Sequence, residues 1–296
     1  MAKESAKLAV IGGSGVYQME GLQNVKQVRV RTPFGDPSDN IILGTLGNHR
    51  IAFLPRHGRG HRIEPAELPA RANIYALKML GVERIIALSA CGSLREDFAP
   101  LDIVVPDQLF DRTKARPSTF FGEGLVVHIS FADPFCPELS GILDRAAQKA
   151  GARVHQGGRM VVIDGPQFST KAESETYRLW KMDIIGMTAL PEAKLAREAE
   201  ICYATVAMVT DYDVWHPDHD SVTVELVIQN LLKNAEMGKR IVRYIVDEIP
   251  TTREHCPCPN ALRDSIITSH DRIPVKSRRK LALLLDKYLP PAKSKR

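Results

Sequence analysis

ICYATVAMVTDYDVW, residues 201–215, decides the reading of the fold. From Ile201 to Val209 it carries no charge, so it suits a strand covered on both faces, as in a parallel or mixed sheet with helices above and below. The run ends on two acids, Asp211 and Asp213, with one tyrosine between them. If the chain stays extended, both carboxylates point to the same side. Two carboxylates at the end of a buried strand repel each other and resist desolvation. Their position calls for a ligand.

Similar runs recur along the chain: KLAVIGG, IILGTL, RIAFLPR, RIIALSACGS, DIVVPDQL, RMVVIDG and DIIGMT. Each is bounded by glycine, proline or charge, as strands are. Helical spacing of apolar residues lies between several of them. ELPARANIYALKMLG closes on Gly81 and PELSGILDRAAQKAG on Gly151, both placed as helix C-caps. ESETYRLWKM, LPEAKLAREAE and the long VTVELVIQNLLKNAEMGKRIVRYIVDEI complete the set. This alternation predicts an α/β fold, with a mixed, mostly parallel central sheet flanked by helices. Residues 1–250 read as the α/β body, and 251–296 as a helical C-terminal extension of the same domain.

A chain of 296 residues, 44% hydrophobic and 25% charged, suits one large domain or two small ones. The apolar runs are too short and too interrupted to span a membrane. MAKESAKLAV is too polar for a signal peptide, and a cytoplasmic protein is expected. The formal charge of +5 misleads as a whole-chain number. From Arg272 onward there are nine Lys or Arg and one acid, Asp286, leaving 31 basic and 34 acidic residues elsewhere. The body therefore has no footprint for nucleic acid. The basic tail reads as solvated, with contact to an acidic partner as the alternative.

Five cysteines are scattered at 91, 136, 202, 256 and 258. A single C-x-C does not supply a zinc site, and no metal is assigned. Cys256 and Cys258 are expected on a surface turn as free thiols, a small disulfide between them being the alternative.

Ligands of open α/β sheets gather beyond the carboxyl ends of strands. There the sequence places Gly12-Gly13-Ser14-Gly15, a turn suited to an anion, and Arg56-His57-Gly58-Arg59-Gly60-His61. Arginine offers a planar fork for phosphate, and the two glycines suit close backbone approach. Ser89-Ala90-Cys91-Gly92-Ser93 leaves room at a strand end. Phe168, in Gly165-Pro166-Gln167-Phe168-Ser169-Thr170, suits stacking on a flat ring. Met187 and Thr188 follow Gly186 at another strand end. Hydroxyls, amides and a guanidinium without a carboxylate set for Mg²⁺ favour free phosphate over a nucleoside triphosphate.

The order GGSG, TPFG, RHGRGH, SACGS, DQLFDRT, HISFADPFCP, GPQFST, MTALPE and TDYDVW along residues 12–215 resembles the 5′-methylthioadenosine phosphorylase family of the trimeric purine nucleoside phosphorylase superfamily. The resemblance implies phosphorolysis of 5′-methylthioadenosine, with phosphate as co-substrate and no cofactor. It implies that Ser14, Arg56, His57, Ser89, Ala90 and Thr188 hold phosphate, that Met187 lies under the ribose and Phe168 beside the base, and that Asp211 and Asp213 take the adenine. His128 corresponds to a residue that reaches a neighbouring subunit's pocket, which implies a homotrimer, alone or paired with a second trimer. Leu281, Leu284, Leu285 and Leu289 either wall the methylthio pocket or simply pack a helix. The aspartates then have a reason: a protonated carboxyl donates to N7 of the leaving purine while its partner accepts from the 6-amino group. The alternatives are a purine nucleoside phosphorylase of broad 5′ specificity, a hydrolytic nucleosidase and a non-catalytic nucleoside-binding protein.

Overall fold

The computed structural model describes residues 4–13, 16, 18–216 and 224–289. Its strands are β1 (Leu8–Gly12), β2 (Gln23–Val28), β3 (Ile41–Leu46), β4 (His49–Pro55), β5 (Arg84–Ser93), β6 (Ile103–Val105), β7 (Gln108–Asp111), β8 (Val154–Gln156), β9 (Arg159–Val162), β10 (Ile184–Gly186) and β11 (Cys202–Asp211). Every apolar run named above contributes a strand. DIVVPDQL contributes two, because Pro106 lacks the N–H needed to continue the ladder. Two strands were not legible in advance. Among the described residues, β2 is polar, largely exposed and pairs only with β3, and β8 is three residues long and pairs only with β6.

Among the described residues six pairings are parallel and four antiparallel, so the sheet is mixed and mostly parallel. The helices are α1 (Ala70–Met79), α2 (Pro137–Lys149), α3 (Lys171–Leu179), α4 (Ala189–Glu198) and α5 (Val224–Glu248), followed by the short α6 (Val275–Lys280) and α7 (Ala282–Leu285). Gly81 and Gly151 both take the positive φ of a helix-ending residue, +80° in each case. The period of two in the strands divides the core in two. Ala9 and Ile11 of β1 pack with Ile74 of α1 and Ala193 of α4, whereas Leu8 and Val10 pack with Ile142 of α2 and Ile241 of α5.

Leu281, Leu284, Leu285 and Leu289 are buried in the first of these cores, beside Ile74 and Tyr75. Packing accounts for them. The expected surface turn at Cys256 and Cys258 is not found. Both thiols are buried, all five cysteines are free, and Cys256 Sγ lies 3.5 Å from Cys202 Sγ. A proline-flanked C-x-C reads as a turn, but here it is folded down onto the start of β11.

Candidate active site

The site arises from a fork in the sheet at β5. One edge of β5 pairs with β11 along nearly its whole length. On the other edge the register with β1 ends at Ala87, and β10 engages only Gly92 and Ser93. Between these neighbours the β5 edge opens into a cavity of about 330 Å³. Arg56, His57, Ser89, Ala90, Phe168, Met187, Thr188, Asp211 and Asp213 all line it. Ser14 lies outside the described residues. His128 is elsewhere: it is exposed and borders a separate cavity of about 880 Å³, with its backbone N–H on the Ser265 carbonyl at 2.9 Å.

One pole of the cavity is polar and partly cationic. Arg56 follows β4 and is buried. Its guanidinium donates to both Glu192 carboxylate oxygens, at 2.7 and 3.0 Å, and to the Leu88 carbonyl in the fork at 2.8 Å. The Tyr203 hydroxyl donates to the same carboxylate at 3.0 Å. Three of the five N–H groups of Arg56 are thus used among the described residues. Glu192 is the partner that sequence reasoning missed, although it closes the MTALPE motif. His57 Nδ1 lies 2.8 Å from the Ile63 carbonyl and so carries the ring proton. Burial, aided by the charges of Arg56 and His61, pushes the pKa of His57 down to about 4 against that hydrogen bond. The ring is neutral at pH 7 and presents Nε2 as an acceptor. The hydroxyls of Ser89 and Thr188 stand 3.1 Å apart.

The other pole holds the aspartates. Strand alternation does not bring them together. The ladder of β11 on β5 passes from Val209 to Asp211 over a bulge at Thr210, the strand stops at Asp211, and Asp213 turns into positive φ (54°). The Asp213 N–H then donates to Asp211 Oδ1 at 2.8 Å, and the Thr210 hydroxyl donates to Oδ2 at 2.6 Å. α5 fixes the bulge: Asn230 donates to the Thr210 carbonyl at 2.7 Å and Asn234 to the Val209 carbonyl at 2.9 Å. These buried asparagines, four apart on one helix face, were also missed. Two amides on a face that also packs apolar residues were the available signal. Gly92 lies close below the pair: a Cβ there would stand 3.1 Å from Asp211 Oδ1 and 3.0 Å from Ile185, a tight fit.

Burial raises the pKa of Asp211, against the Thr210 and Asp213 hydrogen bonds. Burial also lifts Asp213 to about 6, with the Asp211 charge adding to the rise and the Ser174 hydroxyl opposing it. The pair therefore holds a proton close to neutrality. Ile163, Ile185 and Met208 supply apolar wall between the two poles, and Phe168, half exposed, stands at the mouth. Gly165, at φ 66°, lets Met187 approach, since a Cβ on it would meet the Met187 sulfur at 2.5 Å.

A polar, partly cationic pole joined by an apolar wall to a buried acid pair with raised proton affinity fits a nucleoside phosphorylase. The family model described as "Phosphorylase superfamily" matches residues 7–247. Proteins named S-methyl-5′-thioadenosine phosphorylase match almost end to end. That of Gloeobacter violaceus is 57% identical over 292 residues, covering 97% of this chain and 98% of its own. That of Chloroflexus aurantiacus is 60% identical over 285 residues, covering 96% and 99%. A crystal structure of methylthioadenosine phosphorylase from an antarctic soil metagenomic library superposes with a TM-score of 0.92 at 50% identity, covering 96% of this chain and 100% of its own. The methylthioadenosine phosphorylase from Schistosoma mansoni in complex with adenine superposes at 0.80 and 35% identity, covering 94% and 97%. This chain belongs to the S-methyl-5′-thioadenosine phosphorylase family of the phosphorylase superfamily.

Proposed function

We infer that this chain catalyses phosphorolysis of S-methyl-5′-thioadenosine, giving adenine and 5-methylthioribose 1-phosphate. The observation that carries the reading is the joining, in one cavity, of the Arg56–His57–Ser89–Thr188 pole to the buried Asp211–Asp213 pair. Hydrogen phosphate meets two N–H groups of Arg56 and the hydroxyls of Ser89 and Thr188. Its own P–OH donates to neutral His57, and Ala90 borders the same pole; the role expected for Ser14 falls outside the described residues. Met187 lies under the ribose and Phe168 beside the base. As the C1′–N9 bond breaks, electrons flow into the purine. The aspartate pair donates its proton toward N7, and the carboxylate left behind accepts from the 6-amino group. Phosphate oxygen forms the new bond to C1′, its dianion stabilising the oxocarbenium-like sugar. The balance closes without a cofactor: adenine leaves with the proton of the aspartate pair, the sugar phosphate gives up the phosphate proton to solvent past His57, and the pair regains one from solvent.

The test is a nucleoside panel with and without phosphate. S-methyl-5′-thioadenosine should turn over only with phosphate, and faster than adenosine. Equal use of adenosine would move the reading to a purine nucleoside phosphorylase of broad 5′ specificity. Hydrolysis without phosphate would replace it with a nucleosidase, and absence of turnover with a binding protein.

His128 belongs to this reading only in an assembly, since it stands apart from the cavity of its own chain. A homotrimer in which His128 reaches the neighbouring site accounts for that placement. Solution mass should give three chains or a multiple, and His128→Ala should raise the KM for nucleoside while leaving the phosphate requirement unchanged. A fully active monomer would end this assignment. Residues 251–289 are read as part of the same domain because Leu262, Leu281 and Leu285 share its core, and 290–296 lie outside the described residues. The cytoplasmic placement rests on the sequence; no helix among the described residues is long and apolar enough to cross a membrane.

A further inference from the structure

Four cysteines from three distant parts of the chain meet at the end of β11 remote from the aspartates. Cys136 is the N-cap of α2, Cys202 opens β11, and Cys256 and Cys258 lie in the segment that leads away from α5. All four are buried, and their Sγ atoms all lie within 4.8 Å of one another. We propose that Cys136, Cys202, Cys256 and Cys258 form a structural tetrathiolate site for a zinc ion.

The spacing suits the ion. Zinc–sulfur bonds of about 2.3 Å in a tetrahedron set the sulfurs about 3.8 Å apart. The Cys202–Cys256 separation is 3.5 Å, whereas a disulfide would require about 2.05 Å. The chemistry suits it too. Thiols are weak donors and weaker acceptors, so four of them packed together in an apolar core satisfy one another poorly. A divalent soft-to-borderline cation converts the cluster into four strong bonds. The free amides at the start of α2 favour the negative charge of a thiolate at Cys136. Four protein ligands, all buried, describe a closed, structural site.

What the ion would fasten is visible in the neighbouring contacts. Arg253 donates to the Glu83 and Glu200 carbonyls at 3.1 and 2.9 Å, and the Leu262 N–H donates to the Glu200 carboxylate at 3.1 Å. A few residues on, Ser265 accepts from His128, and Ile266 bridges Val127. The zinc site thus anchors the segment against which His128 is held. It acts at a distance, since β11 from Cys202 to Asp211 is about 30 Å long at the usual rise per residue.

The experiment is elemental analysis of the full-length protein, purified without chelator. About one zinc per chain is expected for a closed site with four ligands. A thiol-specific mercurial should release it, with a fall in Tm. The reduced apoprotein should bind Co²⁺ with the visible spectrum of a tetrahedral tetrathiolate. Cys258→Ser should lose the zinc and lower the Tm. Wild-type protein that carries no zinc above background and takes up none when reduced would overturn the proposal, whether or not the variant folds. So would alkylation at lysis followed by mapping that finds these four cysteines in disulfides.

Discussion

Asp211→Asn should lower turnover of S-methyl-5′-thioadenosine by about 10²–10⁴-fold, the span for a lost acid–base group. The substitution keeps the shape. An amide has a fixed donor end and a fixed acceptor end, so it cannot share or move a proton with Asp213. The 6-oxo analogue, 5′-methylthioinosine, should lose much less or gain, because an amide donates to a 6-oxo group that an ionised carboxylate repels. Asp213→Asn should act in the same direction. The pH profile supplies a second readout. Asp213 sits at about 6, raised by burial with a further contribution from the Asp211 charge. Removing that charge lowers the pKa of Asp213. The proton is then lost at lower pH, so the alkaline limb of kcat/KM in Asp211→Asn should move to lower pH. Equal losses on the amino and oxo substrates would show that the pair does not read position 6.

Arg56→Ala should cost more in stability than the phosphate contact alone explains. A charge-assisted contact to phosphate is worth about 1.5–3 kcal/mol. Arg56 is also the partner of Glu192, and both side chains are almost wholly buried. Truncation strands the Glu192 carboxylate, and breaking such a pair from one side costs about 3–5 kcal/mol. The variant should therefore show a large fall in Tm as well as a raised KM for phosphate. Glu192→Gln separates the two effects. It keeps much of the hydrogen bonding but removes the compensating charge, so phosphate should bind more tightly even as the protein becomes less stable. A raised phosphate KM in Glu192→Gln would contradict this account of the pair.

The fold was legible because burial on both faces leaves uninterrupted apolar runs, and those runs became β1, β3, β4, β5, β9, β10 and β11. β2 was not legible because an exposed edge strand asks nothing of its side chains except tolerance of solvent. The candidate site was legible where its lining residues stand at or just beyond a strand end, as Arg56, Thr188 and Asp211 do, whereas Ser89 lies inside β5 and lines the cavity because the sheet forks there. Glu192, Asn230 and Asn234 act through another residue rather than at a strand end, and only the packing of α4 and α5 reveals what they hold. The cysteine cluster escaped for a similar reason. Its members are separated by 66, 54 and 2 positions, and no local spacing rule connects them.

The fork in β5 fixes a length. Ser89 lines the pole of Arg56 and His57 and Gly92 underlies the aspartates, three residues further along one strand. At about 3.3 Å per residue that interval is about 10 Å, close to the reach from an attacking phosphate across a ribose to the far edge of a purine. The strand is gripped at both ends of the interval, by Ile11 of β1 against Ala87 and by Ile185 of β10 against Gly92. It cannot slide to suit a longer or shorter substrate. One residue added between 89 and 92 would move the two poles apart and turn every later side chain of the strand to the opposite face. On the proposed reading, variation in substrate enters sideways, through the walls at Ile163, Met187 and Phe168, while the distance from the Arg56 pole to the aspartates stays constant.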